Sequence, residues 1–251
     1  EIDTNLGLDE HKKDKHIKYL EQVMEANNRL YNQVNRSLNA LRFPIMVGGD
    51  HSSAIGSIKA SLDYTKGDLS VIWIDAHTDI HTEKTTPSGN IHGMPLSVCL
   101  GRCDERFNIG KYNLKPENLY YIGVRSYEIE EISYVQESKI TCYMDFEITM
   151  RKIENIVKEI IKNIKTKYVH ISFDLDCISD KEFNAVNVSV ENKYIDGTGL
   201  SLKMIKTALS MLLTNLNVCS LDIVEYNPLL DVDLKCKEKY EEILEVIKEA
   251  I

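Results

Sequence analysis

Six short apolar runs recur along this chain, and helical segments separate most of them. They lie at residues 43–50, 69–76, 118–125, 140–144, 168–176 and 218–226. They are continuous rather than alternating with polar residues, which is typical of strands buried on both faces of a parallel sheet. The clearest helical segment, residues 149–167, has apolar side chains at i, i+3, i+4 and i+7 spacing. The pattern predicts an α/β fold with a doubly wound, mostly parallel sheet.

The rest of the chain predicts further helices but no second domain. Helical patterns are found within the first forty residues and at 52–62, 92–101, 201–215 and 235–250. The charged segment before this first helix, residues 1–15, is expected to be partly disordered. Because the sequence contains no repeat, low-complexity segment or Pro/Gly-rich linker, we expect one domain over residues 1–251, with 1–40 as a helical, charged N-terminal part.

Charge and composition exclude several classes of partner. The net charge of −9 and the pI of about 5.3 disfavour nucleic acid and anionic membranes. No apolar run approaches the roughly 20 residues of a membrane-spanning helix. The six cysteines form no CxxC pair, and most lie in apolar runs, so reduced, mostly buried thiols and a soluble cytoplasmic protein are expected.

Polar residues follow four of the apolar runs, at the points where the predicted strands end. The motifs are GGDH after the first run, DAHTD after the second, DLD after the fifth and VEYNP after the sixth. Sites in open parallel sheets lie outside the carboxyl ends of the strands, so these motifs should converge on one rim. The candidate ligands among them are His51, Asp75, His77, Asp79, Asp174 and Asp176.

This set of side chains indicates a site for two divalent ions. Asp75, His77 and Asp79 occupy i, i+2 and i+4, positions that point to one side of an extended backbone. Six ligands are too many for one tetrahedral zinc, and the oxygen-rich set favours a hard metal such as Mn²⁺. Two such ions about 3.5–4 Å apart lower the pKa of a shared water, which predicts a hydrolase in which Asp79 orients the hydroxide.

Each motif taken alone also has a structural explanation. A DxD sequence is usually a solvated turn, and GGDH is also compatible with a turn in which Asp50 caps the next helix. His81 and His92 are, individually, more often surface or packing histidines than catalysts. The occurrence of all these motifs at successive strand ends favours a functional site.

Five motifs resemble the signatures of the arginase/agmatinase (ureohydrolase) family, in the family's order. They are GGDHSSAIGSI, WIDAHTDI, SGNIHG, SFDLDC and LDIVEYNP, and the resemblance covers about residues 43–228. The resemblance implies a three-layer α/β/α domain with a binuclear manganese centre. It implies one Mn²⁺ bound by His51, Asp75, Asp79 and Asp174, and a second bound by Asp75, His77, Asp174 and Asp176.

Within the family, the residues resemble arginases more than agmatinases. The resemblance implies that Ser88 and Asn90 recognise the substrate α-carboxylate and that His92 is a proton shuttle. It likewise implies that Glu128 and Glu131 meet the α-amino group. Glu225 is similar to the family carboxylate that holds the guanidinium. The implied reaction is attack of a metal-bridging hydroxide on L-arginine, with Asp79 passing a proton to the leaving amine, to give ornithine and urea.

The sequence departs from the family pattern at three places. His81 stands where arginases usually have an Asn that helps to bind the α-carboxylate, and Glu128 stands where they usually have Asp. The segment 177–200 lacks the usual Pro-containing loop and Thr-Gly-Thr-Pro stretch. The family's first strand and glycine-rich loop are not visible before residue 43, so either the chain is trimmed or its N-terminal part differs. A lost strand would expose a sheet edge unless a helix or a neighbouring subunit covers it.

Two other functions are kept as alternatives to arginase. One is an agmatinase or another ureohydrolase acting on a guanidino substrate. The other is a catalytically weakened homologue that serves as a binding or assembly subunit, an idea that His81 and the altered loop motivate. The resemblance also implies a homo-oligomer, commonly a trimer.

Overall fold

A computed structural model describes residues 17–186 and 199–251 of the chain. The described residues form one six-stranded sheet in the order β1-β6-β5-β2-β3-β4, and every pair of neighbours is parallel. The strands are β1 (Ile45–Val47), β2 (Leu69–Ile74), β3 (Leu119–Val124), β4 (Thr141–Met144), β5 (Tyr168–Asp174) and β6 (Val218–Val224). The predicted α/β fold with a parallel sheet is confirmed.

Eight α-helices accompany the sheet within the described residues. They are α1 (Leu20–Asn39), α2 (Ala54–Tyr64), α3 (Pro95–Cys99), α4 (Ile129–Glu137), α5 (Asp145–Arg151), α6 (Ile153–Asn163), α7 (Leu202–Asn215) and α8 (Lys235–Ala250). Alternate strand residues divide the core between two helical layers. Val71 and Trp73 pack with α1 to α4, whereas Ile72 and Ile74 pack with α5 to α8. The sheet is therefore the middle of three layers, and its central strands are buried on both faces.

Two helical features differ from the sequence prediction. The helix α4 was not predicted, because it is only nine residues long and follows a polar segment. The helix predicted over residues 149–167 is wrong at its start, because the backbone breaks at Lys152, whose φ is 69°. Residues 145–151 form a separate helix, and α6 carries the isoleucine stripe. The expected disorder of residues 1–15 lies outside the described residues.

The strand β1 lies at one edge of the sheet, and among the described residues only β6 pairs with it. Its side chains Ile45 and Val47 are 38% and 63% exposed. An exposed edge was the expected result if the family's first strand were lost and neither a helix nor a neighbouring subunit covered the edge. Part of the altered loop, residues 187–198, lies outside the described residues.

The state of the cysteines agrees with the expectation of free, mostly buried thiols. All six cysteines are free, and four of them are buried: Cys99, Cys177, Cys219 and Cys236. Among the described residues, no helix combines the length and the apolar character that a membrane crossing requires.

Candidate metal centre and active site

The predicted site residues lie at the carboxyl ends of the strands, at one rim of the sheet. His51 follows β1, Asp75 follows β2 and Glu225 follows β6, while Asp174 is the last residue of β5. Since β1, β6, β5 and β2 are successive neighbours, residues from distant parts of the sequence meet at this rim.

Two aspartates end their strands in the same way. The carboxylate of Asp75 accepts a hydrogen bond from the amide of His77 at 2.7 Å, and Asp174 accepts one from the amide of Asp176 at 2.7 Å. Such a turn satisfies the backbone amide locally and lets the chain leave the sheet. The two turns are also joined to each other, because the amide of Ala76 donates a hydrogen bond to the Asp176 carboxylate at 3.2 Å.

Asp75, His77 and Asp79 were predicted to point to one side because they alternate along an extended strand. That reason is wrong, because the strand ends at Ile74, but the residues do lie close together. The strand β2 ends at Ile74, and Asp79 has a φ of 45°, in the left-handed region. A bend after the strand, rather than the two-residue repeat, brings Asp79 towards His51. A left-handed conformation costs a non-glycine residue roughly 1 kcal/mol, a strain often found at functional sites.

The first group of ligand atoms surrounds the ring of His51. Its Nδ1 atom lies 3.0 Å from an oxygen of Asp75, 3.0 Å from an oxygen of Asp174 and 3.4 Å from an oxygen of Asp79. One ligand atom from each of His51, Asp75 and Asp174 falls within 4.8 Å of the others. With Asp79, whose oxygen is 3.4 Å from His51 Nδ1, these three make up the four residues predicted for one ion.

The second group lies on the other side of Asp75. The Nδ1 atom of His77 is 2.9 Å from Asp176 and 3.6 Å from the second oxygen of Asp75. Ligand atoms of Asp75, His77 and Asp176 again fall within 4.8 Å of one another. Asp75 therefore presents one oxygen to each group, as a bridging ligand would.

The chemistry of this cluster fits divalent cations. Four carboxylates and two imidazoles converge, and the His51 Nδ1 and Asp75 Oδ2 atoms are buried without a hydrogen-bond partner. Burial and the nearby charge of Asp75 raise the pKa of Asp79, and burial and the charge of Asp176 raise the pKa of Asp174. Both shifts indicate negative charge that a cation would stabilise.

Residues beneath the cluster hold His51 in place. Its ring stacks on Trp73, with centroids 3.9 Å apart, and its Nε2 atom lies 3.0 Å from Ser172 Oγ. Ser172 in turn donates to Asp222 at 3.3 Å, and His170 Nε2 lies 2.8 Å from the same Asp222 oxygen. These partners of His51 were not predicted from the sequence. The signal was present, because 170, 172 and 174 alternate along an otherwise apolar strand.

A third cluster contains Glu225, His92 and Asp50. Glu225 has a φ of 69°, and its Oε1 atom accepts a hydrogen bond from the amide of His51 at 2.8 Å. Burial and the charge of Asp50 raise the pKa of Glu225 to about 7. His92 Nδ1 lies 3.5 Å from Asp50, which also caps the turn that begins at His51. Asp50 therefore has the structural role of a cap and also lies beside the cluster of candidate metal ligands.

The segment between β2 and α3 carries Ser88 and Asn90, which were predicted to bind the substrate α-carboxylate. The amide of Asn90 donates to the hydroxyl of Ser88 at 3.1 Å; Ser88 is exposed and Asn90 is half-buried. The carbonyl of Gly89 accepts from the amide of Lys18, which fixes the segment near the start of α1.

His81 lies apart from the candidate metal ligands, beside the start of α4. Its ring is within 3.1 Å of Glu128 and 3.6 Å of Glu131. Glu128 and Glu131 form a capping box at the helix N-terminus. Burial raises the pKa of Glu131 to about 8, and so does the Glu128 side chain, which accepts a hydrogen bond from the protonated Glu131 carboxyl. The structure therefore brings together the residue that departs from the family pattern and both acids predicted for the α-amino group.

Comparisons with known proteins agree with these geometric findings. A family model described as the arginase family matches residues 8–243. An arginase of Bacillus subtilis (strain 168) is 34% identical over 247 residues, which are 97% of this chain and 81% of that protein. An arginase of Brevibacillus brevis is 38% identical over 85% of this chain and 71% of that protein.

Solved structures give the same result. The native structure of arginase from Bacillus caldovelox superposes with a TM-score of 0.87 at 33% identity, over 95% of this chain and 79% of that one. A crystal structure of arginase from Bacillus subtilis gives a TM-score of 0.85 at 35% identity, over 92% of this chain and 81% of that one. On sequence and fold alike, this chain belongs to the arginase family of hydrolytic enzymes.

Proposed function

We propose that this chain hydrolyses L-arginine to L-ornithine and urea with two Mn²⁺ ions as cofactors. The observation that carries the proposal is the buried cluster in which Asp75 presents one oxygen to each of two His/Asp groups. Relatives that are 32–38% identical to this chain are named arginases. An oxygen-rich ligand set is the kind that Mn²⁺ prefers.

The residues divide into two ligand sets. His51, Asp75, Asp79 and Asp174 would hold one ion, and Asp75, His77, Asp174 and Asp176 would hold the other. When bound, the ions would lower the pKa of a water molecule and so supply a nucleophile near neutral pH.

Glu225 binds and orients the substrate guanidinium. The amide of His51 fixes its Oε1 atom, which sets the direction of the carboxylate beside the cluster. A carboxylate paired with a guanidinium forms strong, directional hydrogen bonds. The positioned guanidinium carbon then lies next to the metal ligands.

Proton transfers fall to Asp79 and His92. Asp79, whose Oδ2 atom lies beside the His51 ring, accepts the proton that the attacking nucleophile releases and passes it to the departing amine. His92 is half-exposed and 3.5 Å from Asp50, so its ring can exchange protons with solvent while Asp50 orients it. Ser88 and Asn90 bind the α-carboxylate, and Glu128 and Glu131 face the α-amino group.

We also propose that residues 1–251 form one catalytic domain and that the protein is a cytoplasmic homotrimer. The single sheet of the described residues supports the first statement, and the family resemblance supports the second. Light scattering coupled to gel filtration tests the trimer, since a monomer or dimer mass would contradict it.

One assay tests the activity. Metal-stripped protein is reconstituted with Mn²⁺, its metal content is measured, and urea release from L-arginine is followed between pH 7 and 10. We expect about two Mn²⁺ per chain and faster release from arginine than from agmatine. Protein that holds two ions but releases no urea would overturn the proposal; preference for agmatine would indicate an agmatinase. Metal-replete protein that binds none would indicate an assembly role.

A further inference from the structure

His81 is buried, and both nitrogens of its ring face side chains of the protein itself. The ring is 6% exposed. Its Nδ1 atom lies 3.0 Å from Thr85 Oγ1, and its Nε2 atom lies 3.1 Å from Glu128 Oε2. A ring engaged at both nitrogens is already a complete link between two parts of the protein.

The neighbouring groups accommodate one direction of these hydrogen bonds, with His81 accepting from Thr85 and donating to Glu128. The amide of Thr82 donates to Thr85 Oγ1 at 2.9 Å, so the Thr85 hydroxyl proton is free to point at His81 Nδ1. A neutral ring that accepts at Nδ1 carries its proton at Nε2, where it donates to Glu128. In this arrangement Thr82 N, Thr85 Oγ1 and His81 Nε2 each have one acceptor.

Glu128 is held from its other side by the helix that it caps. Its side chain accepts from the backbone of Glu131, and Glu131 Oε2 accepts from the amide of Glu128 at 3.0 Å. The other oxygen of Glu131 accepts from the amide of Ile80 at 3.2 Å. Two elements thus fix a Glu128 carboxylate whose side chain is still 49% exposed and open to a ligand.

We propose that His81 is a positioning residue that sets specificity for the substrate α-amino group by holding Glu128, and that it does not bind the α-carboxylate. Glutamate has one more rotatable bond than aspartate, and ordering it costs more conformational entropy. The His81 hydrogen bond removes that freedom before substrate arrives, which strengthens binding of an ammonium group. This inference rests on the proposed function.

Two arginine analogues separate the proposed role from direct carboxylate binding. Agmatine keeps the amino group and lacks the carboxylate, whereas 5-guanidinopentanoate keeps the carboxylate and lacks the amino group. In His81→Phe we expect the KM for arginine and the inhibition constant of agmatine to rise about tenfold, with kcat within about twofold. The inhibition constant of 5-guanidinopentanoate should not change. The opposite pattern, a weaker 5-guanidinopentanoate and unchanged agmatine, would overturn the proposal.

Further variants keep the test valid if His81→Phe does not fold. Thr85→Val removes only the hydroxyl that orients the ring, and it should move the same constants in the same direction by a smaller factor. Thr149→Val, on the distant helix α5, is the matched control and should change none of them. In Glu128→Gln the effect of Thr85→Val should disappear, because the carboxylate that the ring positions is gone.

The outcomes distinguish this inference from the proposed function. If wild-type protein releases no urea from arginine, the proposed function fails. If wild-type protein is active but Thr85→Val and Glu128→Gln have independent effects, the role of His81 alone is refuted.

Discussion

At the residue scale, Asp75 explains why the cluster accommodates two ions. One of its carboxylate oxygens lies beside the ring of His51, and the other lies beside the ring of His77. Asp174 has the corresponding place on the neighbouring strand β5, 3.0 Å from His51. Removing either carboxylate should therefore affect the centre as a whole.

Asp174→Asn tests this expectation through stability as well as activity. Ions that bind only the folded state raise its stability, by about 2.7 kcal/mol at a concentration one hundred times Kd. We expect Mn²⁺ to raise the Tm of wild-type protein and to have little effect on the variant, which should also release little urea. Asp180→Asn, at an exposed aspartate nearby, should keep the full Mn²⁺ response. An undiminished response in Asp174→Asn would exclude Asp174 as a ligand.

Asp222 is a buried acidic residue that several hydrogen-bonding partners stabilise. One of its oxygens accepts from Ser57 at 2.6 Å and lies within hydrogen-bond distance of His170 and Ser172. Asp222→Asn replaces an acceptor in this network and should lower the free energy of unfolding of metal-free protein by about 3 kcal/mol. Urea denaturation measures the loss. Asp233→Asn, a surface ion pair with Lys235, should cost less than about 1 kcal/mol, and an equal cost would refute the network.

Site residues could be predicted from the sequence where they directly follow an apolar run, at the end of a predicted strand. His51, Asp75 and Asp174 follow apolar runs, so their convergence follows from the parallel sheet. The bend that turns Asp79 towards His51 could not be predicted, because it depends on a left-handed φ at a non-glycine residue. The engagement of His81 by Thr85 was equally hidden, since it depends on a side-chain rotamer.

At the element scale, the crossing of α1 and α2 depends on the absence of a side chain at Gly56. A Cβ there would lie 2.5 Å from the backbone carbonyl oxygen of Asn27. Because a backbone atom cannot move aside as a side chain can, Gly56→Ala should cost roughly 1–3 kcal/mol. Gly93→Ala, where a Cβ meets nothing within 4 Å, should change stability by less than about 0.5 kcal/mol. Chemical denaturation of both variants compares them, and similar values would show that the helices can separate.

The capping box of α4 makes one element sensitive to pH. Burial raises the pKa of Glu131 from 4.5 to about 8. The folded protein therefore binds more protons than the unfolded chain between these values, and stability falls as pH rises towards 8. In Glu131→Gln this contribution is absent, so the Tm of metal-free protein should change less between pH 6 and 9.

Glu130→Gln is the control for this pH dependence, since Glu130 lies on the same turn but is exposed. Its Tm profile should follow that of wild-type protein. An unaltered slope in Glu131→Gln would mean that Glu131 does not take up a proton on folding.

Elements were predictable where their pattern is long or continuous. The stripe of α6 and the apolar runs of β2 and β5 gave their positions within a few residues. The short helix α4 was missed because a nine-residue helix shows too few turns for its period to stand out. The break at Lys152 was missed because nothing in a lysine favours a φ of 69°.

At the scale of the whole molecule, burial protects the thiols. Burial raises the pKa of Cys99, Cys103, Cys142 and Cys219 to about 12. Because the thiolate is the reactive form, native protein at pH 8 should react slowly with a thiol reagent, at no more than the two half-buried cysteines, Cys103 and Cys142. Denatured protein should react at all six. Fast labelling of four or more native thiols would contradict the buried core.

The position of β1 at the edge has a consequence for synthesis on the ribosome. Among the described residues, its only neighbour in the sheet is β6, and Ile45 aligns with Leu221. Until β6 has been synthesised, β2 to β5 can assemble, but β1 lacks the strand with which it pairs in the described sheet. His51 meets Glu225 only after β6 emerges, so these two sides of the site join later than β2 to β5 do.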